Sequence, residues 1–110
     1  MAFQVSKSGD VTVIDVEGQL IVGNRQELKQ TVLDELENGE RKFVVNFSET
    51  GYIDSSGLGV LVSLSKKIRE QDGELRLASL NEDLRTLFEL TKLDTLFTIA
   101  DSREEALDGL

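Results

Sequence analysis

Residues 51–64 read GYIDSSGLGVLVSL. Polar character stops at Asp54-Ser55-Ser56, and Leu58, Leu61, Val62, Ser65 and Ile68 then recur at helical spacing. That spacing predicts a helix from about Ser56 to Asp72 with one face in a core, closed by Gly73. Upstream lies KFVVNF, residues 42–47, a short and nearly continuous apolar run that suits a central strand covered on both faces. Glu74–Ala78 reads as a further strand. Strand, helix and strand in succession imply a sheet with parallel pairs and helical layers.

Towards the N-terminus, FQVSKSGDVTVIDVEG alternates apolar and polar residues on both sides of Ser8-Gly9-Asp10. It reads as two strands, Phe3–Lys7 and Val11–Glu17, joined by a tight turn. A loop over Gly18–Gly23 follows. Asn24 with Glu27 forms a capping pair for a helix carrying Leu28, Val32, Leu33 and Leu36, with Gly39 just past its end. Towards the C-terminus, Ser79 with Glu82 is a capping box for a helix bearing Leu84, Leu87 and Phe88. Leu96–Ile99 reads as a last short strand, and Ser102 with Glu105 opens a helix holding Ala106, Leu107 and Leu110. The order ββαβαβαβα defines an α/β fold, a mixed sheet of four to five strands packed with about four helices. The 110 residues carry no composition break and are read as one domain, 1–110.

Composition narrows the chemistry. There is no cysteine, which removes disulfides, thiolate metal sites and cysteine nucleophiles, and no histidine, the commonest general base and metal ligand. The net charge is −9, from 21 acids against 12 bases, so nucleic acid and anionic membrane surfaces are poor partners. A basic protein suits the acidic surface better, although acidity also serves solubility alone. No apolar run approaches the ~20 residues of a membrane span, and MAFQVSKSGD lacks the pattern of a signal peptide. A cytoplasmic location is the expectation.

Asp54–Gly59 admits a nucleophile, a nucleotide or metal site, a helix cap and a phosphate acceptor. A serine nucleophile needs a base to take its proton, and no histidine exists to do so. Ser63-Leu64-Ser65-Lys66 matches S-x-x-K, yet it falls in mid-helix without companion motifs. Gly57-Leu58-Gly59 lacks the third glycine of a dinucleotide fingerprint, and no phosphate-binding G-x-x-x-x-G-K-[ST] occurs. Glu49, Asp54 and Asp72 have no spacing that would cage a metal, so neither cofactor nor metal is expected. A helix N-cap by Asp54, Ser55 or Ser56 accounts for one polar residue, worth ~1 kcal/mol. It leaves unexplained two glycines, each costing up to ~1 kcal/mol within a helix. Small residues there imply close approach to the backbone. A serine hydroxyl at the positive end of a helix can also carry a covalent phosphate without unfolding its surroundings.

Ile53-Asp54-Ser55-Ser56-Gly57-Leu58-Gly59-Val60-Leu61 resembles the signature of STAS domains, specifically the bacterial anti-sigma factor antagonists. The resemblance takes in the loop near Gly18, the strand KFVVNF, Gly73-Glu74-Leu75, the segment Leu84–Leu93, Leu96-Phe97 and the acidic C-terminal helix. It implies a partner-switching module that binds an anti-sigma factor, itself a GHKL-type serine kinase, and so frees a sigma factor. The kinase phosphorylates the first serine of the motif, here Ser55, and the complex parts. A PP2C-like serine phosphatase restores the binding form. The protein is then a ligand and substrate, not an enzyme. The partner-binding residues implied are Asp54, Ser55, Ser56, Gly57, Leu58, Gly59, Val60 and Leu64. Val60 and Leu64 lie off the main apolar stripe, so they are either exposed docking residues or the second face of a helix buried on two sides. One position departs from the family. In Gly18-Gln19-Leu20-Ile21, isoleucine stands where an acid is frequent, which puts that acid's part in kinase contact in doubt. Two alternatives stay open: a STAS subunit of another signalling or transport assembly, and a small acyl-transfer or hydrolytic enzyme using Ser55 or Ser63.

Overall fold

The computed structural model describes residues 3–110. Alternation on either side of Gly9 produces the hairpin β1 (Phe3–Ser8) and β2 (Val11–Leu20), with Phe3 opposite Val16 and Ser8 opposite Val11. Gly9 takes φ of 61° in the turn, where a side chain would be strained. There follow α1 (Arg25–Glu37), β3 (Lys42–Ile53), α2 (Ser55–Glu70), β4 (Glu74–Ala78), α3 (Glu82–Leu90), β5 (Thr98–Ala100) and α4 (Arg103–Leu107). The sheet order is β1-β2-β3-β4-β5, with β1 antiparallel to β2 and every other pair parallel. The expected element order and mixed sheet are what the chain forms.

Each parallel crossover carries a helix, and α1, α2 and α3 cover one face of the sheet. Ile14, Val16, Phe43, Val45, Phe47 and Leu77 pack there against Leu28, Val32, Leu61, Leu64, Ile68 and Phe88. The opposite face presents Val11, Val13, Val44, Ala78 and Ala100, which Ala106 of α4 covers. Residues 43–47 of β3 therefore bury side chains on both faces, which is why that run reads as continuously apolar. Phe88 and Phe97 meet edge to face at 6.0 Å, fastening α3 to the segment before β5. The short α4 is held by its own carbonyls. Arg76 Nη1 donates to Ala106 O (3.2 Å) and Asp108 O (2.7 Å), and Lys42 Nζ to Leu110 O (3.0 Å). Lys42 also pairs with Asp10 at 3.0 Å, a hydrogen bond and charge that hold the Asp10 carboxyl below its usual range.

Several local expectations are corrected. β2 continues to Leu20, and the predicted loop at Gly18 is a strand irregularity, with Gly18 at φ of 83° and register shifts on both sides. The buried Thr50 hydroxyl donates to Val16 O (2.7 Å) at that irregularity, satisfying the carbonyl there. β3 runs six residues past Phe47, to Ile53. It pairs with β4 only over Lys42–Asn46, so its final stretch is bonded to β2 alone. Asn24 does not cap α1: its Oδ1 accepts from Ile21 N–H (2.9 Å) and its Nδ2 donates to Gln19 O (2.9 Å), folding the loop instead. α3 is capped by Asn81 Oδ1, which accepts from Leu84 N–H (2.8 Å), while Ser79 takes φ of 65° in the preceding turn. The last strand is Thr98–Ala100, because Leu93–Thr95 winds a single 3₁₀ turn. Ser102 does cap α4, accepting from Glu105 N–H at 3.1 Å. Val62, expected on the core face of α2, is 36 % exposed.

Candidate functional site

The end of β3 delivers the chain straight into α2, and Asp54 makes the junction. Its backbone is extended, and Oδ1 accepts from Gly57 N–H at 2.8 Å, so Asp54 is the N-cap among the three candidates. Its second oxygen, Oδ2, accepts from Val22 N–H at 3.1 Å, and its own N–H donates to Leu20 O at 3.1 Å. One aspartate thus ties the helix N-terminus to the end of β2 and to the loop that follows. Sequence reasoning missed the second tie. It offers no local signal, since Val22 lies 32 residues away.

With Asp54 as cap, Ser55 and Ser56 occupy the first two positions of the helix. Ser55 is exposed and Ser56 half-buried. The free backbone N–H groups and the positive dipole end of α2 lie at Ser55, an environment favourable to added negative charge. The Asp54 carboxylate next to it is unfavourable to the same charge.

The two glycines divide in role. A Cβ on Gly57 would stand 2.5 Å from Leu20 O, 2.9 Å from Ile53 Cγ2 and 3.0 Å from Leu20 Cγ. The close approach that Gly57 permits is therefore internal, of α2 onto the end of β2, and not that of a partner. A Cβ on Gly59 would meet nothing within 4 Å, and Gly59 is exposed. Leu58 is 8 % exposed, Val60 7 % and Leu64 1 %. The reading of Val60 and Leu64 as exposed docking residues is thus overturned. They fill the second face of a helix packed between α1 and the sheet.

Apolar surface near Ser55 comes from elsewhere. Val22 is 63 % exposed and Tyr52 58 %, and both flank the Asp54 junction. A groove of about 500 Å³ opens between the end of β3, the start of α2 and α3. Tyr52, Ser55, Leu58, Asp83, Leu84 and Leu87 are among its lining residues. Asn81 Nδ2 donates to Thr50 O (3.3 Å), linking the cap of α3 to the second half of β3. The sequence signal for this groove is the apolar stripe Leu84, Leu87 and Phe88 on α3, of which Leu84 and Leu87 line the groove as well as the core. Of that stripe, Phe88 is wholly buried whereas Leu87 is half-buried. Ser63, the other candidate serine, lies half-buried two turns along α2, and Lys66 beside it is exposed. Ile21, at the position where an acid was expected, is half-buried, and its carbonyl accepts from Asn24 and Arg25 N–H.

A mixed sheet with helices on one face, a short helix on the other, and a serine pair behind an aspartate cap at the head of α2 defines the STAS fold. The STAS domain family matches residues 2–106, and the chain belongs to that family. The anti-sigma-B factor antagonist of Staphylococcus aureus is 31 % identical over 91 residues, spanning 83 % of this chain and 84 % of that protein. The crystal structure of tm1081 from Thermotoga maritima superimposes with a TM-score of 0.90 at 33 % identity, covering 96 % of this chain and 92 % of that one. Bacillus SpoIIAA in its phosphorylated form shares the fold, with a TM-score of 0.77 at 22 % identity and 97 % coverage of each chain. Among the described residues, no helix is long and apolar enough to cross a membrane.

Proposed function

We propose that this chain is an anti-sigma factor antagonist. In its unmodified form it binds an anti-sigma factor that is also a GHKL-type serine kinase. Phosphorylation of Ser55 dissolves the complex, and a PP2C-like phosphatase resets it. The observation that carries the reading is the position of Ser55, exposed at the head of α2 and on the lip of an apolar groove. The antagonist name of the Staphylococcus aureus relative supports it. The chain acts as one unit over residues 1–110, in the cytoplasm, as ligand and substrate rather than as an enzyme.

The physics of the switch follows from the neighbours of Ser55. A phosphate brings about −1.5 to −2 of charge. The helix terminus tolerates it, so the fold survives modification. On binding, however, the phosphate has to leave water for a rim made of Tyr52, Leu58 and the Asp54 carboxylate, which costs more than the contact returns. A cost of ~3 kcal/mol already weakens affinity by about 100-fold.

The test is binding to the purified anti-sigma factor, together with mapping of the phosphate after incubation with ATP. Ser55→Asp should lose about two orders of magnitude in affinity. Ser55→Ala should bind within a few-fold of the wild type and accept no phosphate. Wild-type affinity in Ser55→Asp would overturn the mechanism, and modification at Ser56 would move the switch by one residue.

A further inference from the structure

The two flanks of the α2 N-terminus differ in character. On the α3 side lies the apolar groove. On the α1 side a cleft of about 200 Å³ runs between helices, lined by Arg25, Gln26 and Lys29 of α1 and Gly59, Val60 and Ser63 of α2. Arg25 and Lys29 are four residues apart and share one helix face. Neither enters an ion pair among the described residues, and no acid lines their cleft, whereas the clefts that hold Lys67 and Arg69 are also lined by Glu37 and Glu70 and by Glu74. Acids outnumber bases by 21 to 12 in this chain, yet the lining of this cleft includes none. Gly59 leaves open space at the cleft wall, and Ser63 supplies a hydroxyl.

On a surface whose overall charge repels anions, a cleft lined by two bases and no acid is the place where a negative group is accepted. Such contrast selects register as well as partner. Gly59 is one turn along α2 from Ser55, so the cleft and the apolar groove bracket the serine. We propose that the α1–α2 cleft docks an acidic segment of the protein partner, with its carboxylates on Arg25 and Lys29. Naming that partner as the anti-sigma factor rests on the functional reading above; the affinity of the cleft for carboxylates does not. A partner held by charge on one flank and by apolar contact on the other has its orientation over Ser55 fixed.

The experiment uses the isotopically labelled full chain at low salt, titrated with hexaglutamate, hexaglutamine and ATP while the amide spectrum is followed. Hexaglutamate should move the Gly59 and Ser63 amides, and hexaglutamine should not. The shifts should vanish in Arg25→Glu and Lys29→Glu. They should persist in Arg25→Lys and in Arg103→Glu, which changes the net charge equally but on α4. Absent shifts, shifts that survive Arg25→Glu, or larger shifts with ATP than with the peptide would each overturn the assignment. In a second arm, each reversal should weaken binding to the purified anti-sigma factor by about tenfold, and Arg103→Glu by less than about twofold. Wild-type binding indifferent to both reversals overturns the inference and leaves the functional reading standing. Peptide shifts without any binding of the wild type to the anti-sigma factor overturn the functional reading and leave the acid-binding cleft.

Discussion

Replacing Gly57 and Gly59 by alanine, one at a time, should move stability in opposite directions. Helix propensity favours alanine at both sites by at most ~1 kcal/mol. At Gly57 the new methyl meets Leu20 O at 2.5 Å, and the obstacle is a backbone carbonyl, not the end of a flexible side chain. That carbonyl is pinned because it accepts the Asp54 N–H, and Leu20 itself is fully buried. Relief requires a backbone shift of about half an ångström or more, and overpacking of this kind costs ~1–3 kcal/mol. With a fixed carbonyl the cost falls at the upper end, leaving a net loss of about 2 kcal/mol after the propensity gain. For a chain of this length that lowers the melting midpoint by about 8 °C. At Gly59 nothing lies within 4 Å of the added methyl, so the propensity gain stands alone and the midpoint should rise by up to about 4 °C. Thermal unfolding followed by circular dichroism, with urea titration as a second measure, reads both. A Gly57→Ala midpoint at or above that of the wild type would refute the packing argument. Binding adds a further separation: Gly59→Ala should weaken partner affinity while stabilising the fold, because its methyl projects from the surface between the two bracketing clefts.

Two other substitutions probe single polar groups. Asp54→Ala removes the cap and the tie to Val22 together and should cost about 1–2 kcal/mol in urea unfolding, whereas Asp54→Asn, which keeps a capping oxygen, should lose less than half of that. Asn46 is 6 % exposed; its Nδ2 donates to Asp15 Oδ1 at 2.8 Å, and its Oδ1 has no partner among the described residues. Asn46→Asp sets a second carboxylate against the first in that setting and should cost ~3 kcal/mol at neutral pH. The sign with pH is definite: the new acid has a raised pKa in the folded state, so its penalty shrinks as pH falls and the group takes a proton. Denaturation midpoints at pH 7 and pH 5 should therefore converge towards those of the wild type at the lower value.

Elements with their own periodicity were legible in the sequence, and those defined by a neighbour were not. The hairpin at Gly9, the stripe of α2 and the buried run of β3 announce themselves because burial sets their patterns. β2 beyond Glu17 and β3 beyond Phe47 are held by one neighbouring strand and are mostly polar; each ends on a core residue, Leu20 or Ile53, but without a sustained alternation that would read as a strand. The caps of α1 and α3 were misassigned for a related reason. Asn24 spends both ends of its amide on the loop, and Asn81 was hidden behind a serine-glutamate pair with the right spacing. At the site, the serine and its flanking acid could be read directly. The burial of Val60 and Leu64 could not, because it depends on α2 being enclosed from two sides.

The free end of β3 gives the molecule a division of labour. Its first half lies between two strands, where a substitution disturbs the sheet. Its second half, paired with β2 alone, keeps Thr50 and Ile53 buried, turns Ser48, Glu49, Gly51 and Tyr52 outward and carries the chain to Ser55. The outward residues of that overhang can change without re-fitting the interior, while the aspartate tie keeps the serine in place. A lineage of such proteins can therefore acquire new partners by rewriting a short peninsula of surface, and duplicated copies in one cell can diverge into insulated circuits that share a single scaffold.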